Sequence, residues 1–63
     1  MNQDVIRKRL IEYQQQKGVK WYHIATSINL PHYVLSQWKN GKRKELWESS
    51  LTKLDAFLTT EGF

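Results

Sequence analysis

The chain contains no cysteine, a single proline, three glycines and no long apolar run. Without cysteine it has neither a disulfide framework nor a thiolate metal cage, so packing alone must stabilise it, which suits a reducing cytoplasm. Its longest apolar stretches are far below the roughly 20 residues that cross a bilayer, and its start lacks a signal-peptide core. We therefore expect a cytoplasmic protein with no membrane partner.

Groups that support catalysis or metal binding are equally scarce. His23 and His32 are the only histidines, and neither has a cysteine, an aspartate or a second histidine at ligand spacing. No serine, threonine or carboxylate pair has a base partner on the same face, and 63 residues leave no room for a sizeable pocket. We therefore expect no enzymatic activity, no cofactor, no metal ion and no small-molecule substrate.

Positive charge is what the chain has in excess. Ten Lys and Arg residues stand against six Asp and Glu, which gives a net charge of +4 and an isoelectric point near 9.6. A basic domain of this size commonly binds a polyanion, but surface lysines that only maintain solubility give the same count. Charge alone leaves both interpretations open, so the positions of the basic residues have to decide.

The spacing of apolar residues predicts an all-α fold, a compact four-helix domain that contains a helix-turn-helix. The predicted helices span about residues 4–17, 21–28, 32–40 and 46–60. Asn2 or Asp4 is expected to cap the first helix, and Gly18 to end it in the left-handed conformation. Asn29 tolerates that same conformation, and the proline that follows Leu30 ends the second helix in a tight turn.

The three tryptophans and one run of basic residues each have a structural interpretation. Trp38 and Trp47 are predicted to fill the core, since each lies on the apolar side of its helix. Trp21 lies on the same side as Ile24 and is either a core residue or a surface contact. The run Arg7–Arg9 is interpreted as a solvated face, with contact to a flanking phosphate as the alternative.

Two short helices joined by a turn of three or four residues hold a fixed angle, which lets the second helix lie in a DNA major groove. The small and apolar residues that this unit needs are all in register: Ile24, Ala25, Ile28, Leu30, Leu35 and Trp38. The stretches IATSINL (24–30) and VLSQWKNGKR (34–43), with Ile6 to Leu10 and Gly18 ahead of them, resemble helix-turn-helix proteins of the Cro and C1-repressor type. The resemblance covers about residues 5–58. It implies a lambda-repressor-like fold and a phage or bacterial transcriptional regulator that binds double-stranded DNA and is therefore nucleoid-associated in the cytoplasm.

The resemblance also implies roles for individual residues. Base contacts are expected from the recognition helix, at His32, Tyr33, Ser36 and Gln37. Gln37 is the leading candidate, because a side-chain amide pairs with both N6 and N7 of adenine. Contacts to the DNA backbone are expected at Lys20, Trp21, Asn40, Lys42 and Arg43, where charge and hydrogen-bond donors fix the position of the protein.

The sequence departs from the family pattern at three places. Lys20 and Trp21 replace the usual Ser or Thr cap and the Gln after it, and Gln14 with Lys39 replaces an Arg and Glu pair. Relatives commonly add a fifth helix or strand that forms a dimer, so a homodimer on a palindromic site stays open. These departures support an alternative function, in which the scaffold is a protein-interaction module such as an antirepressor or a defence-inhibitor domain.

Overall fold

The computed structural model describes residues 2–63 and arranges them in four helices with no strand. The helices are α1 (Gln3–Lys17), α2 (Trp21–Ser27), α3 (His32–Lys39) and α4 (Glu48–Thr60). Helix α1 packs against α4, and α2 packs against α3. The all-α prediction is confirmed, and across residues 2–63 no helix has the length and apolar character of a membrane span.

The ends of α1 form as the sequence predicts. The Asn2 side-chain oxygen accepts hydrogen bonds from the backbone N–H groups of Asp4 at 2.9 Å and Val5 at 3.1 Å. Two N–H groups that lack partners inside the helix are thereby satisfied. At the other end Gly18 adopts φ +67° and donates its N–H to the Gln14 carbonyl at 2.8 Å. A side chain at Gly18 would be strained in this conformation.

The turn between α2 and α3 depends on one residue in the left-handed conformation. Asn29 has φ +57°, the only positive φ at a non-glycine position in residues 2–63. The chain then reverses, and the Leu30 N–H reaches back to the Ala25 carbonyl at 2.9 Å. Leu30 and Ala25 are both buried. The turn therefore packs its apolar residue beneath the two helices, as predicted.

The core collects apolar side chains from all four helices. Its members are Ile6, Leu10, Tyr13, Ile24, Ala25, Ile28, Leu30, Val34, Leu35, Trp38, Leu46, Leu51, Leu54 and Leu58. Trp38 is fully buried, as predicted. The Tyr13 ring meets Phe57 and Phe63 edge to face, with centroids 5.3 and 5.4 Å apart. These two phenylalanines therefore close the core of the single chain.

The prediction for Trp47 is wrong. Its side chain is 64% exposed, and the preceding residue, Leu46, is buried instead. Trp47 has an extended backbone, φ −60° and ψ 148°, so α4 begins at Glu48, two residues later than predicted. The cause is Gln3, whose side-chain amide binds both the N–H and the carbonyl of Leu46 at 3.1 and 3.3 Å. This contact directs Leu46 inward and leaves Trp47 on the surface.

The interpretation of the run Arg7–Arg9 as a solvated face is wrong for two of its members. Arg9 is partly buried and donates to the Phe63 carbonyl at 2.9 Å and to Asp55 at 2.6 Å. It therefore ties α1 to the far end of α4. Arg7 is also partly buried and donates to the carbonyls of Trp38 and Lys44, whereas Lys8 is exposed.

Candidate nucleic-acid interface

Helix α3 separates an apolar side from a polar one. Val34, Leu35 and Trp38 are buried. On the opposite side Tyr33 is 65% exposed, and His32 and Gln37 are exposed as well. Three of the four residues predicted to contact bases are therefore open to solvent.

The fourth predicted base-contact residue, Ser36, differs from the other three because it is only half-buried. Its carbonyl accepts the N–H of Asn40, the residue that ends α3. The Asn40 side chain is exposed and accepts a hydrogen bond from the Lys39 ammonium at 3.1 Å. Ser36 thus offers less surface than its neighbours, and Asn40 lies at the edge where α3 ends.

Residues 42–44, which we call the basic loop, fold back onto the end of α3. The Gln37 carbonyl accepts two backbone N–H groups, from Lys42 at 2.9 Å and from Arg43 at 3.1 Å. Lys42 and Lys44 are exposed, and Arg43 is partly buried. Within residues 2–63 the Arg43 Nε is a buried polar atom without a hydrogen-bond partner. The loop therefore presents three cationic side chains from a backbone bonded to the candidate recognition helix.

Arg7 of helix α1 forms hydrogen bonds with both α3 and the basic loop. Its Nε donates to the Trp38 carbonyl at 3.0 Å, and its Nη2 donates to the Lys44 carbonyl at 3.2 Å. The guanidinium lies 4.9 Å from the centroid of the Trp38 ring, and Nη1 pairs with Asp4 at 2.6 Å. Arg7 thus connects the last turn of α3 with the end of the basic loop.

Helix α2 begins without a side-chain cap. Lys20 is the exposed N-cap and makes no side-chain capping bond. Trp21 is partly buried against the core, and the Lys39 ammonium lies 4.7 Å from the centroid of its ring. The Gln14 side-chain amide donates to the Val19 carbonyl at 3.1 Å. A cation–π contact between Trp21 and Lys39 therefore links α2 to α3.

Charge is distributed unevenly along the chain, a signal that the sequence contains but that net charge hides. Residues 13–44 hold six of the ten basic residues and none of the six acidic ones. This acid-free segment comprises the end of α1, both α2 and α3, and the basic loop. Every carboxylate side chain lies before it or after it. No side-chain carboxylate of the segment itself opposes an anionic partner at the polar side of α3.

Comparison with protein-family models, with curated proteins and with solved structures finds no match. A functional proposal for this chain therefore depends on its own residues and their arrangement. Those residues place amide, phenol and imidazole groups on one side of α3, next to three cations. Such groups form hydrogen bonds with base edges, and the cations neutralise phosphates.

Proposed function

We propose that this domain binds double-stranded DNA in a sequence-specific manner and acts as a transcriptional regulator that occupies an operator. One observation carries the proposal: α3 presents an exposed, uncharged hydrogen-bonding side next to the basic loop, within a segment that has no acidic residue. An exposed helix preceded by a short helix and a tight turn fits the major groove. The basic loop would then meet the phosphates along the edge of that groove.

Base recognition is assigned to the exposed side of α3. The Gln37 amide can bind one adenine with two hydrogen bonds, in which Nε2 donates to N7 and Oε1 accepts from N6. Both atoms must then face the base, and the exposure of Gln37 permits this orientation. Tyr33 either contacts a thymine methyl group or donates to a phosphate. His32, at the first position of α3, is assigned a further base contact. Ser36 contributes a smaller contact area because it is half-buried.

Backbone contacts are assigned to both ends of the helix pair. Lys42 and Arg43 neutralise phosphates beside the end of α3, and Asn40 donates its amide there. Lys20 and Trp21 provide the corresponding contact at the start of α2.

Selection of bound sites from a randomised duplex pool, followed by affinity measurements on variants, tests the proposal. Gln37→Ala should relax the preference at one base pair and lose about 1–3 kcal/mol on the selected site. Lys42→Ala should weaken binding to all sequences alike and lower the salt slope by about one unit. Lys53→Ala is the control for lost charge, because Lys53 is exposed on α4, outside the acid-free segment.

Two results would contradict the proposal. A dissociation constant no tighter than about millimolar with random duplex at low salt would exclude DNA binding, because nonspecific binding alone is typically tighter. The reverse pattern, with Gln37→Ala affecting all sequences and Lys42→Ala only one position, would refute the assigned roles. A palindromic selected site would indicate two copies on one operator.

A second candidate function is a protein-interaction module on the same scaffold. The observation that favours it is the exposure of two large aromatic side chains, Tyr22 on α2 and Tyr33 on α3. Exposed tyrosines are common in protein interfaces because they combine apolar area with a hydrogen-bonding hydroxyl. The same titration separates the two functions, since this module would show no appreciable affinity for duplex DNA at low salt.

A further inference from the structure

We propose that Arg7 is a positioning residue for DNA binding: it fixes the basic loop against α3 and so determines how many phosphates the domain neutralises. The inference rests on the proposed function and adds a residue that lies outside the predicted interface. Its basis is the pair of hydrogen bonds from one guanidinium to the carbonyls of Trp38 and Lys44.

Hydrogen bonds hold the basic loop at both of its ends, from α3 at the start and from α1 at the end. At the start of the loop, Lys42 and Arg43 donate their N–H groups to the Gln37 carbonyl. At the end, the Lys44 carbonyl accepts from Arg7, which α1 supplies. The planar fork of an arginine donates in two directions at once, which the single ammonium group of a lysine does not reproduce. Arg7 therefore sets the distance between the end of α3 and the end of the loop.

Arg7 is itself poorly placed to contact DNA. Its side chain is only 19% exposed, and each of its three nitrogen atoms has an acceptor within the protein. Part of its charge is offset by Asp4, at 2.6 Å. An effect of Arg7 on DNA affinity would therefore act through the loop.

A fixed loop matters because ordering three long cationic side chains and their backbone on binding has an entropic cost. A loop that is ordered before binding avoids much of that cost, because its cations are already held in place. If Arg7 is replaced, we expect at least one loop cation to lose its phosphate contact. The salt dependence of affinity reports this directly, since its slope is about 0.9 per phosphate neutralised on duplex DNA.

Three variants test the inference: Arg7→Ala, Arg7→Lys and the control Arg9→Ala. Arg9→Ala removes the same charge and similar hydrogen bonds from the same helix, but it releases the far end of α4. Both Arg7 variants should lower the salt slope by about one unit, which corresponds to about eightfold weaker binding at 0.1 M salt. Arg9→Ala should keep the wild-type slope. All affinities are measured at a temperature at which circular dichroism shows the variants folded.

Arg7→Lys separates positioning from charge. It keeps the positive charge but not the bridge between the two carbonyls, so a wild-type slope for Arg7→Lys would overturn the inference. Equal slopes for Arg7→Ala and Arg9→Ala would also overturn it, because the effect would then follow from general loss of charge or stability.

A second measurement uses the protein without DNA. Heteronuclear 15N relaxation should show faster backbone motion of residues 42–44 in the Arg7 variants and not in Arg9→Ala. If the wild-type protein does not bind duplex DNA, the proposed function fails, and with it the role of Arg7 in binding. Unchanged motion of the loop in the Arg7 variants refutes the positioning role even if DNA binding is established.

Discussion

Gln3 forms an internal bridge whose loss should destabilise the domain strongly. Its Oε1 accepts the indole N–H of Trp38 at 3.0 Å and the N–H of Leu46 at 3.1 Å, and its Nε2 donates to the Leu46 carbonyl. Trp38 is fully buried and Leu46 nearly so. The substitution Gln3→Ala therefore leaves two N–H groups without their acceptor in a region that water reaches poorly.

The expected magnitude follows from these two donors. A buried polar group without a partner costs about 1–3 kcal/mol, so two such groups set a range of about 2–6 kcal/mol. Gln3 itself is half-buried, which lets water replace part of the lost bonding, and we therefore expect about 2–3 kcal/mol. For a domain of this size that loss lowers the melting temperature by about 10–20 °C.

The assay is the free energy of unfolding from urea titration, with thermal melting as a second readout. Gln16→Ala is the matched control, because Gln16 is an exposed glutamine on the same helix. Gln3→Glu keeps an oxygen that accepts from both N–H groups and loses only the longest of the three bonds, the one to the Leu46 carbonyl, so it should be less destabilising than Gln3→Ala. The reasoning is refuted if Gln3→Ala and Gln16→Ala agree within about 0.5 kcal/mol, the range of an ordinary surface substitution.

Three further predictions concern single positions. Burial raises the pKa of Tyr13 above its ordinary value of 10.0, as do its hydrogen bond to Glu61 and the charge of that carboxylate. The folded state therefore favours the neutral phenol, and the free energy of unfolding should fall as pH rises above about 10. In Tyr13→Phe this free energy should fall less steeply with pH, which urea titration at each pH measures. Asn29→Ala should lose about 1 kcal/mol in urea unfolding, because alanine is strained at positive φ, whereas Asn29→Gly should not. Trp47→Ala should change the unfolding free energy by at most about 0.5 kcal/mol, since the ring is largely in solvent and makes no capping bond to α4; a loss comparable to that of a core residue would show that Trp47 packs inside.

The sequence predicted those parts of the fold that depend on near neighbours. The Asn2 cap, the left-handed Gly18 and Asn29 and the buried face of each helix all follow from residues a few positions apart. The start of α4 and the environment of Arg7 did not follow, because each depends on hydrogen bonds between residues more than 30 positions apart. Trp47 fits the apolar period of α4 by its spacing from Leu51, but in the fold Leu46, which Gln3 binds, occupies the core instead.

The candidate site shows the same division. The exposed side of α3 could be read from its helical period, with Ser36 the one residue more covered than expected. The contact between Trp21 and Lys39 could not be predicted from the helical period, since it joins the start of α2 to the end of α3. The support of the basic loop by Arg7 was hidden because a run of basic residues is by default a solvated face.

The absence of carboxylate side chains from residues 13–44 gives the molecule an electric dipole moment, since this segment carries six positive charges and no negative one, whereas the other residues carry four positive and six negative charges. A dipolar particle is turned by the field of a polyanion before the two touch. The longest dimension of the domain is 24 Å, whereas the field is screened over about 10 Å at 0.1 M salt. At low salt the field would therefore orient the domain, with residues 13–44 toward the polyanion, before the two molecules touch. Added salt would screen the field and slow association, because the domain would then approach in random orientations.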